Sequence, residues 1–435
     1  MMKFFIDIAA FELKKILGRK ITVLSFIVML ILTLGLNLWS IPLYSVGLEG
    51  EQATIITEDG DIDDDWSGLW EGLTISWIDD EGSLVEQKVS PWEYIQMQRT
   101  SAMKWSGKKL DDATIQALKD FIAEYGWEES NGYLHGWNYR NYFWVWKTLS
   151  SMGLNPLHEN TSEAAIKNYI ERREWQELYS ALQLTPEERA FWKNHGELEY
   201  PLIIAYTPAY RQILSCVRWI HIMLLLFVVL ALCESFSIEH KERVRAIAQA
   251  TKNAPVYSPL AKLAVGVAFT IVSALILYGV TFLIQFFIFG TDGFHTPIQQ
   301  ISGFVFSRLM VTAGEAVLIM CGTSILILVT VAVITMTISE WSRSGIAPVW
   351  LQFVMILGTM LFNRSIFYEK RQVAQIWQYF PIQRINDTLL YDERLVFIGG
   401  KAITAMHFSV ILYVLLAAAF AALAIGHALI CRRDR

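Results

Sequence analysis

Cysteine is scarce: Cys216, Cys233, Cys321 and Cys431 are the four in 435 residues. All lie in or beside apolar runs, at no metal-ligand spacing, so a disulfide-stapled domain and a thiolate metal centre are both excluded. They read as small buried hydrophobes. Charge is scarce too: 18% of residues are charged and 54% hydrophobic, with mean hydropathy +0.35. That is too apolar for an ordinary soluble globular protein. Catalytic signatures are missing as well. No G-x-x-x-x-G-K-[ST] occurs, so the chain lacks a Walker-type loop for nucleotide phosphates. His158-Glu159 lacks the second histidine of H-E-x-x-H, and no G-x-S-x-G is present. The reading is a non-enzyme with no cofactor and no metal site.

What the chain has is long apolar runs separated by polar blocks. Residues 1–20 form an amphipathic segment. Phe5, Ile6, Ala9, Leu13, Ile16 and Leu17 share one stripe, and Lys3, Asp7, Lys14, Lys15 and Arg19 lie largely on the other side. This predicts a helix along the inner membrane surface. A cleaved signal peptide is the competing reading; the length of the next apolar run and the lack of an A-x-A site argue against it. Residues 21–43 are uncharged and can cross a hydrocarbon core of about 30 Å. The five Lys and Arg before them place the N-terminus in the cytoplasm.

Residues 44–211 are polar and acidic. From position 45 to 211 there are 29 acidic and 14 basic residues, and 11 of the 16 tryptophans. An acidic block inside a basic, apolar frame predicts an extracytoplasmic domain inserted between spans one and two. We expect it to be mainly helical. Asp111 or Asp112 caps a helix that ends at Gly126, and Thr185-Pro186-Glu187-Glu188 is a capping box with proline at the first helical position. The alternating stretch Leu69 to Val89 predicts a short hairpin. Trp105, Trp127, Trp137, Tyr142, Trp144 and Trp146 are candidate core. The run from Glu58 to Asp65 has the alternate Asp of a calcium loop but lacks its glycine and final Glu, so a solvated acidic face is the better reading.

Residues 212–435 hold the remaining apolar runs, near 213–233, 260–289, 309–338, 346–362 and 405–430. Six spans put both termini in the cytoplasm of a multi-pass cell-membrane protein, an all-α polytopic fold with its mainly helical domain outside. Residues 363–407 strain this topology, since an outer loop would carry six basic and four acidic residues. Re-entrant or interfacial helices, with Ile376, Trp377, Tyr379 and Phe380 at headgroup level, would ease the difficulty. Glu315 falls inside the fourth apolar run, about two turns from its outer end. A carboxylate there is costly, so it is a candidate for the translocation path; its structural alternative is a satisfied polar contact between helices. His427 and Cys431 read as structural.

Between the second and third runs, residues 234–262 carry Lys241, Arg243, Arg245, Lys252 and Lys262. A short basic link reads as a cytoplasmic loop. Good helix formers run from Ser237 to Gln249 and stop at Asn253 and Pro255. Glu239, Lys241, Glu242, Arg243 and Arg245 are its nearest charged handles for a soluble partner.

This layout resembles the permease subunits of type-2 ABC exporters. The local likeness is Phe236-Ser237-Ile238-Glu239, the basic helix, and Ala261-Lys262-Leu263 opening span three. The terminal Arg432-Arg433-Asp434 adds to it. The chain departs from that family at Arg243-Val244-Arg245, where Gly-Thr is common, and at Tyr257-Ser258, where Gly-Arg or Ser-Arg is common. The likeness covers the membrane frame, and the block 44–211 resembles the outer domain of some Gram-positive members. It implies export of an amphipathic or lipophilic substrate such as a drug or antimicrobial peptide. The implied partners are a separate ABC ATPase subunit, a second permease copy or paralogue, and the lipid bilayer, with no nucleic acid. Two other readings stay open. One is a non-transporting sensor with a peptide-binding outer domain. The other is an ion-coupled secondary transporter, which would need paired carboxylates in its spans, whereas Glu315 stands alone.

Overall fold

The computed structural model describes residues 2–45, 73–78, 84–103, 105–125, 162–168, 184–193, 202–238, 254–301, 304, 307–342, 344–361, 376–385, 389–390 and 394–433. The described chain is mainly helical, with two two-stranded antiparallel hairpins. Five helices are long and apolar enough to cross a membrane, in the ranges Lys20–Ile41, Pro208–Leu232, Tyr257–Phe289, Ala313–Ser342 and Ala405–Ile430. This is a multi-pass membrane protein. The sixth expected span is a helix of 16 residues, Ile346–Leu361. At 1.5 Å per residue it is about 24 Å long, short of a core of about 30 Å.

The chain divides into two compact units. The first comprises Met1–Leu34, Ser215–Thr281 and Leu318–Arg435. Its N-terminal helix α1, Met2–Leu17, ends where the Gly18 amide donates to Lys14 O at 2.8 Å. Helix α2, Lys20–Ser45, restarts at once. In α1, Ile16 and Glu12 are buried, with Glu12 3.6 Å from Lys15. Ile6, Phe11, Leu13 and Leu17 are exposed. The apolar stripe therefore splits, with one edge against the protein and one facing outward.

Helices α6 (Pro208–Leu232), α7 (Ala254–Phe289), α8 (Ala313–Ser342) and α11 (Ala405–Arg433) contribute to this unit. With no water to compete, threonine hydroxyls join them. Thr330 Oγ1 donates to Leu326 O in its own helix and lies 3.1 Å from Tyr413 O of α11. Two turns on, Thr337 repeats this with Val333 O and, at 3.0 Å, Phe420 O. At Gly266 a Cβ would fall 2.5 Å from Met336 Sδ, so the absent side chain lets α7 approach α8 closely.

The second unit comprises Gly35–Leu214 and Phe282–Val317. It contains most of the acidic block together with the adjoining helix ends. The expected hairpin is present: β1 (Leu73–Ile78) pairs with β2 (Leu84–Val89), Leu73 opposite Val89. Helices α3 (Pro91–Met103), α4 (Asp112–Tyr125) and α5 (Pro186–Lys193) follow, with a further helical stretch at 163–168 before α5. Asp111 is the cap of α4, accepting from the Thr114 amide at 2.8 Å. The Thr185–Glu188 box is reciprocal, at 2.8 and 3.3 Å. A second box, Ser90 with Glu93, opens α3 at 3.0 and 3.3 Å. These bonds to the ionised form hold the Glu93 and Asp111 carboxyls below their ordinary range. Helix α3 also docks on the end of α7. Trp92 stacks on Phe287, Gln96 reaches Ile288 O, and Arg99 covers Gly290, whose φ of 89° closes the helix.

Of the candidate aromatic core only Trp105 falls among the described residues, with Lys108 Nζ 4.2 Å from its ring centroid. The other five, the acidic run at 58–65 and His158-Glu159 lie outside them.

The stretch before α11 holds a short helix, in the region where interfacial helices are expected, and a hairpin that is not expected there. Helix α10, Pro381–Arg384, packs in the first unit, and Gln383 Nε2 donates to Thr359 O in α9 (Ile346–Leu361). A tight hairpin follows, β3 (Leu395–Ile398) with β4 (Lys401–Thr404).

Candidate functional site

The segment singled out by sequence begins where α6 ends and finishes in α7. Glu239, Lys241, Glu242, Arg243 and Arg245 lie outside the described residues, but both stems of the segment are described. After Leu232 the chain turns through Cys233–Phe236, and the Ser237 amide donates to Ser339 Oγ of α8 at 3.2 Å. Ser237 is fully buried. On the other stem Lys262 is also buried, and its Nζ lies 4.7 Å from the centre of the Phe236 ring. A desolvated cation over an aromatic face is worth about 2 kcal/mol. The Phe236 and Lys262 of the quoted motif are therefore in contact, and they lock the two stems together.

Three further contacts surround the stems in the same unit. Arg19, at the α1–α2 break, donates to Ala231 O at 3.2 Å, setting a cation at the carbonyl end of α6. Glu340 is buried near the end of α8 and lies 3.3 Å from His427 Nδ1 of α11, so His427 has a structural partner. A Cβ on Gly345 would fall 2.7 Å from Glu234 Cγ, so the turn after α8 presses on the first stem. The α1–α2 junction, both stems and the ends of α8 and α11 thus form one connected base.

Glu315 sits elsewhere. Helix α8 begins at Ala313, so Glu315 is in its first turn, not two turns inside. It is exposed and closes a capping box: the Thr312 amide donates to Glu315 Oε2 at 2.8 Å, and the Glu315 amide to Thr312 Oγ1 at 3.2 Å. The Ala313 and Gly314 amides donate to Thr296 O and Phe294 O. The sequence reading began this span at Leu309 because Leu309-Met310-Val311 are apolar. Those residues lie outside the helix, and the Ile298 amide donates to Val311 O.

A buried polar chain that no local motif announces crosses the first unit. His221 of α6, fully buried, lies with Nε2 3.1 Å from Pro381 O and Nδ1 2.6 Å from Ser324 Oγ of α8. Ser324 Oγ in turn meets the hydroxyl of Tyr278 of α7. A carbonyl only accepts, so Nε2 carries a proton; in the neutral ring Nδ1 then accepts from Ser324, which accepts from Tyr278. The chain has one direction and ties three apolar helices to α10. Among the described residues no group of three His, Cys, Asp or Glu is placed to hold a metal ion.

No family model, curated protein or solved structure matches this chain.

Proposed function

We propose that this chain is the membrane-spanning permease subunit of an ATP-binding cassette transporter that exports an amphipathic or lipophilic substrate. One observation carries the reading: a basic segment, 234–262, joins two long apolar helices, and its stems are pinned to the bundle through Ser237, Phe236 and Lys262. A lever must be stiff where it enters the body it moves, and here both ends are stiff. The chain has no nucleotide-binding motif of its own, so work enters from a separate ATPase. Glu239, Lys241, Glu242, Arg243 and Arg245 are the docking charges, and a second permease copy or paralogue completes the assembly. In this reading α9 crosses as a short sixth span, both termini lie in the cytoplasm, and most of residues 44–211 lies outside the cell membrane.

The test is to purify the tagged full-length chain from its native membranes and measure ATP hydrolysis in nanodiscs. The expected result is near-equimolar recovery of an ABC-type ATPase. Reversing three charges together, Glu239→Arg, Arg243→Glu and Arg245→Glu, sets like charges across the contact and weakens docking by at least about tenfold, while single reversals at an exposed rim do little. A folded chain that brings down no ATPase and hydrolyses no ATP would overturn the proposal.

A further inference from the structure

The β3–β4 hairpin is anchored at its base and bare at its tip. At the base, Leu395 is 3% exposed, and the adjacent Arg394 donates from Nη2 to Gln378 Oε1 at 2.7 Å. The strands pair from Leu395 with Thr404 up to Ile398 with Lys401. Gly399 and Gly400 close the turn with φ of 57° and 79°, the two positive values of a type I′ turn. At the tip, Phe397 is 47% and Ile398 50% exposed. They are consecutive in a strand, so their side chains point to opposite faces. In this register Phe397 shares its face with Ala402 and Ile398 shares the other with Lys401, so each face of the tip carries one exposed large apolar side chain. The one charge from Leu395 to Thr404 is Lys401, also exposed.

A lone two-stranded hairpin is at best marginally stable in water. This one is not free to sit anywhere. Thr404 ends β4 and caps α11, accepting from the His407 amide at 3.4 Å. Helix α11 is one of the five apolar helices long enough to cross the membrane. The hairpin is thus held at the Ala405 end of that helix, which sets it beside the leaflet that α11 enters there.

We propose that the β3–β4 tip is a membrane-interface wedge: Phe397 and Ile398 enter the headgroup and upper acyl region of the leaflet at the Ala405 end of α11, and Lys401 reaches the lipid phosphates. Depth follows from the backbone. Past the anchored base, a two-stranded hairpin turns one edge of each strand outward, and hydrocarbon would leave those amides and carbonyls unsatisfied where the wet interface does not. A lysine stem lies along apolar surface while its ammonium stays at the phosphates. Two apolar side chains on opposite faces suit a medium that surrounds the tip, whereas a protein partner would cover one face. The inference rests on α11 crossing the membrane and not on the transport reading.

The test uses full-length protein, one copy per nanodisc, in phosphatidylcholine with phosphatidylglycerol. The native cysteines are replaced, and a nitroxide is attached at Phe397→Cys, at Ile398→Cys or, as a water-exposed reference, at Ser90→Cys. Each labelled protein is first checked for cooperative thermal unfolding. Collisions with oxygen, which concentrates in lipid, are compared with collisions with a water-soluble nickel chelate. The expected result is an oxygen-to-nickel ratio several-fold above the Ser90 reference at both tip positions. A ratio at either position equal to the reference would overturn the wedge, even if cross-linking in native membranes then found a protein on the hairpin. Only lipid is available to the tip in a single-copy nanodisc, so the result cannot be credited to a second chain.

Discussion

At Thr312 and Glu315, two side chains and two backbone carbonyls supply an acceptor to each amide from Thr312 to Glu315. That is a structural duty, and it sets the expected effect of substitution. Thr312→Ala should lower stability by about 1 kcal/mol, the usual cost of losing a cap. Glu315→Gln keeps an acceptor oxygen within reach and should cost less. In the proposed permease neither should alter transport or its pH dependence, read from thermal unfolding in nanodiscs beside a transport assay at two pH values. Changed transport by Glu315→Gln at unchanged stability would instead favour the translocation-path role for the carboxylate. The same S/T-x-x-E pattern opens α3, α5 and α8. It is legible before α5 because Pro186 and Glu187 mark the first helical positions. Before α8 it is hidden, because hydropathy cannot separate the non-helical Leu309–Val311 from the helix that follows.

Among the elements, His221, Ser324 and Tyr278 show how unlike segments become one bundle. They come from three helices, and the carbonyl of Pro381 adds α10. A double-mutant cycle is the appropriate test, because deleting one member strands the others. His221→Phe should cost about 1–3 kcal/mol through the unsatisfied Ser324 hydroxyl and Pro381 carbonyl. Ser324→Ala should cost a similar amount. The double variant should fall short of the sum by at least about 0.5 kcal/mol, as for residues in one network. Strict additivity in chemical denaturation would mean that the chain is not coupled. No sequence pattern could have announced this contact, since its members are far apart in the chain and each looks like a lone polar residue in an apolar run. The β3–β4 hairpin is a different kind of omission. Gly399-Gly400 between Leu395–Ile398 and the Ala402-Ile403 pair is a turn signal in plain view, obscured by the expectation of interfacial helices.

For the molecule as a whole, the long apolar helices were legible because a span needs only length and hydropathy. Their number was less so, since it depends on α9, and the charge of residues 363–407 argues against an outer location. The structure weakens that objection. Arg384 is fully buried against Tyr379, and Arg394 is buried and bonded to Gln378. Basic residues committed to the interior are a poor guide to sidedness, which follows the charges that flank spans in water. What remains is a question of parity, and three positions answer it. Cysteine is introduced singly at Ser90, Ser342 or Asp434 in a background without the native cysteines. Ser90 and Ser342 are exposed, and Ser342 ends α8. Ser237 would be a poor reporter because it is fully buried. With α2 crossing outward and α6, α7 and α8 alternating after it, a membrane-impermeant maleimide should label Ser90→Cys in intact cells. It should label Ser342→Cys only after permeabilisation. Asp434→Cys then decides α9: if α9 crosses, Asp434 lies on the same side as Ser342, and if it does not, on the side of Ser90. Labelling of Asp434→Cys in intact cells would therefore remove the sixth span while leaving the other five, and with it the cytoplasmic C-terminus of the proposed permease.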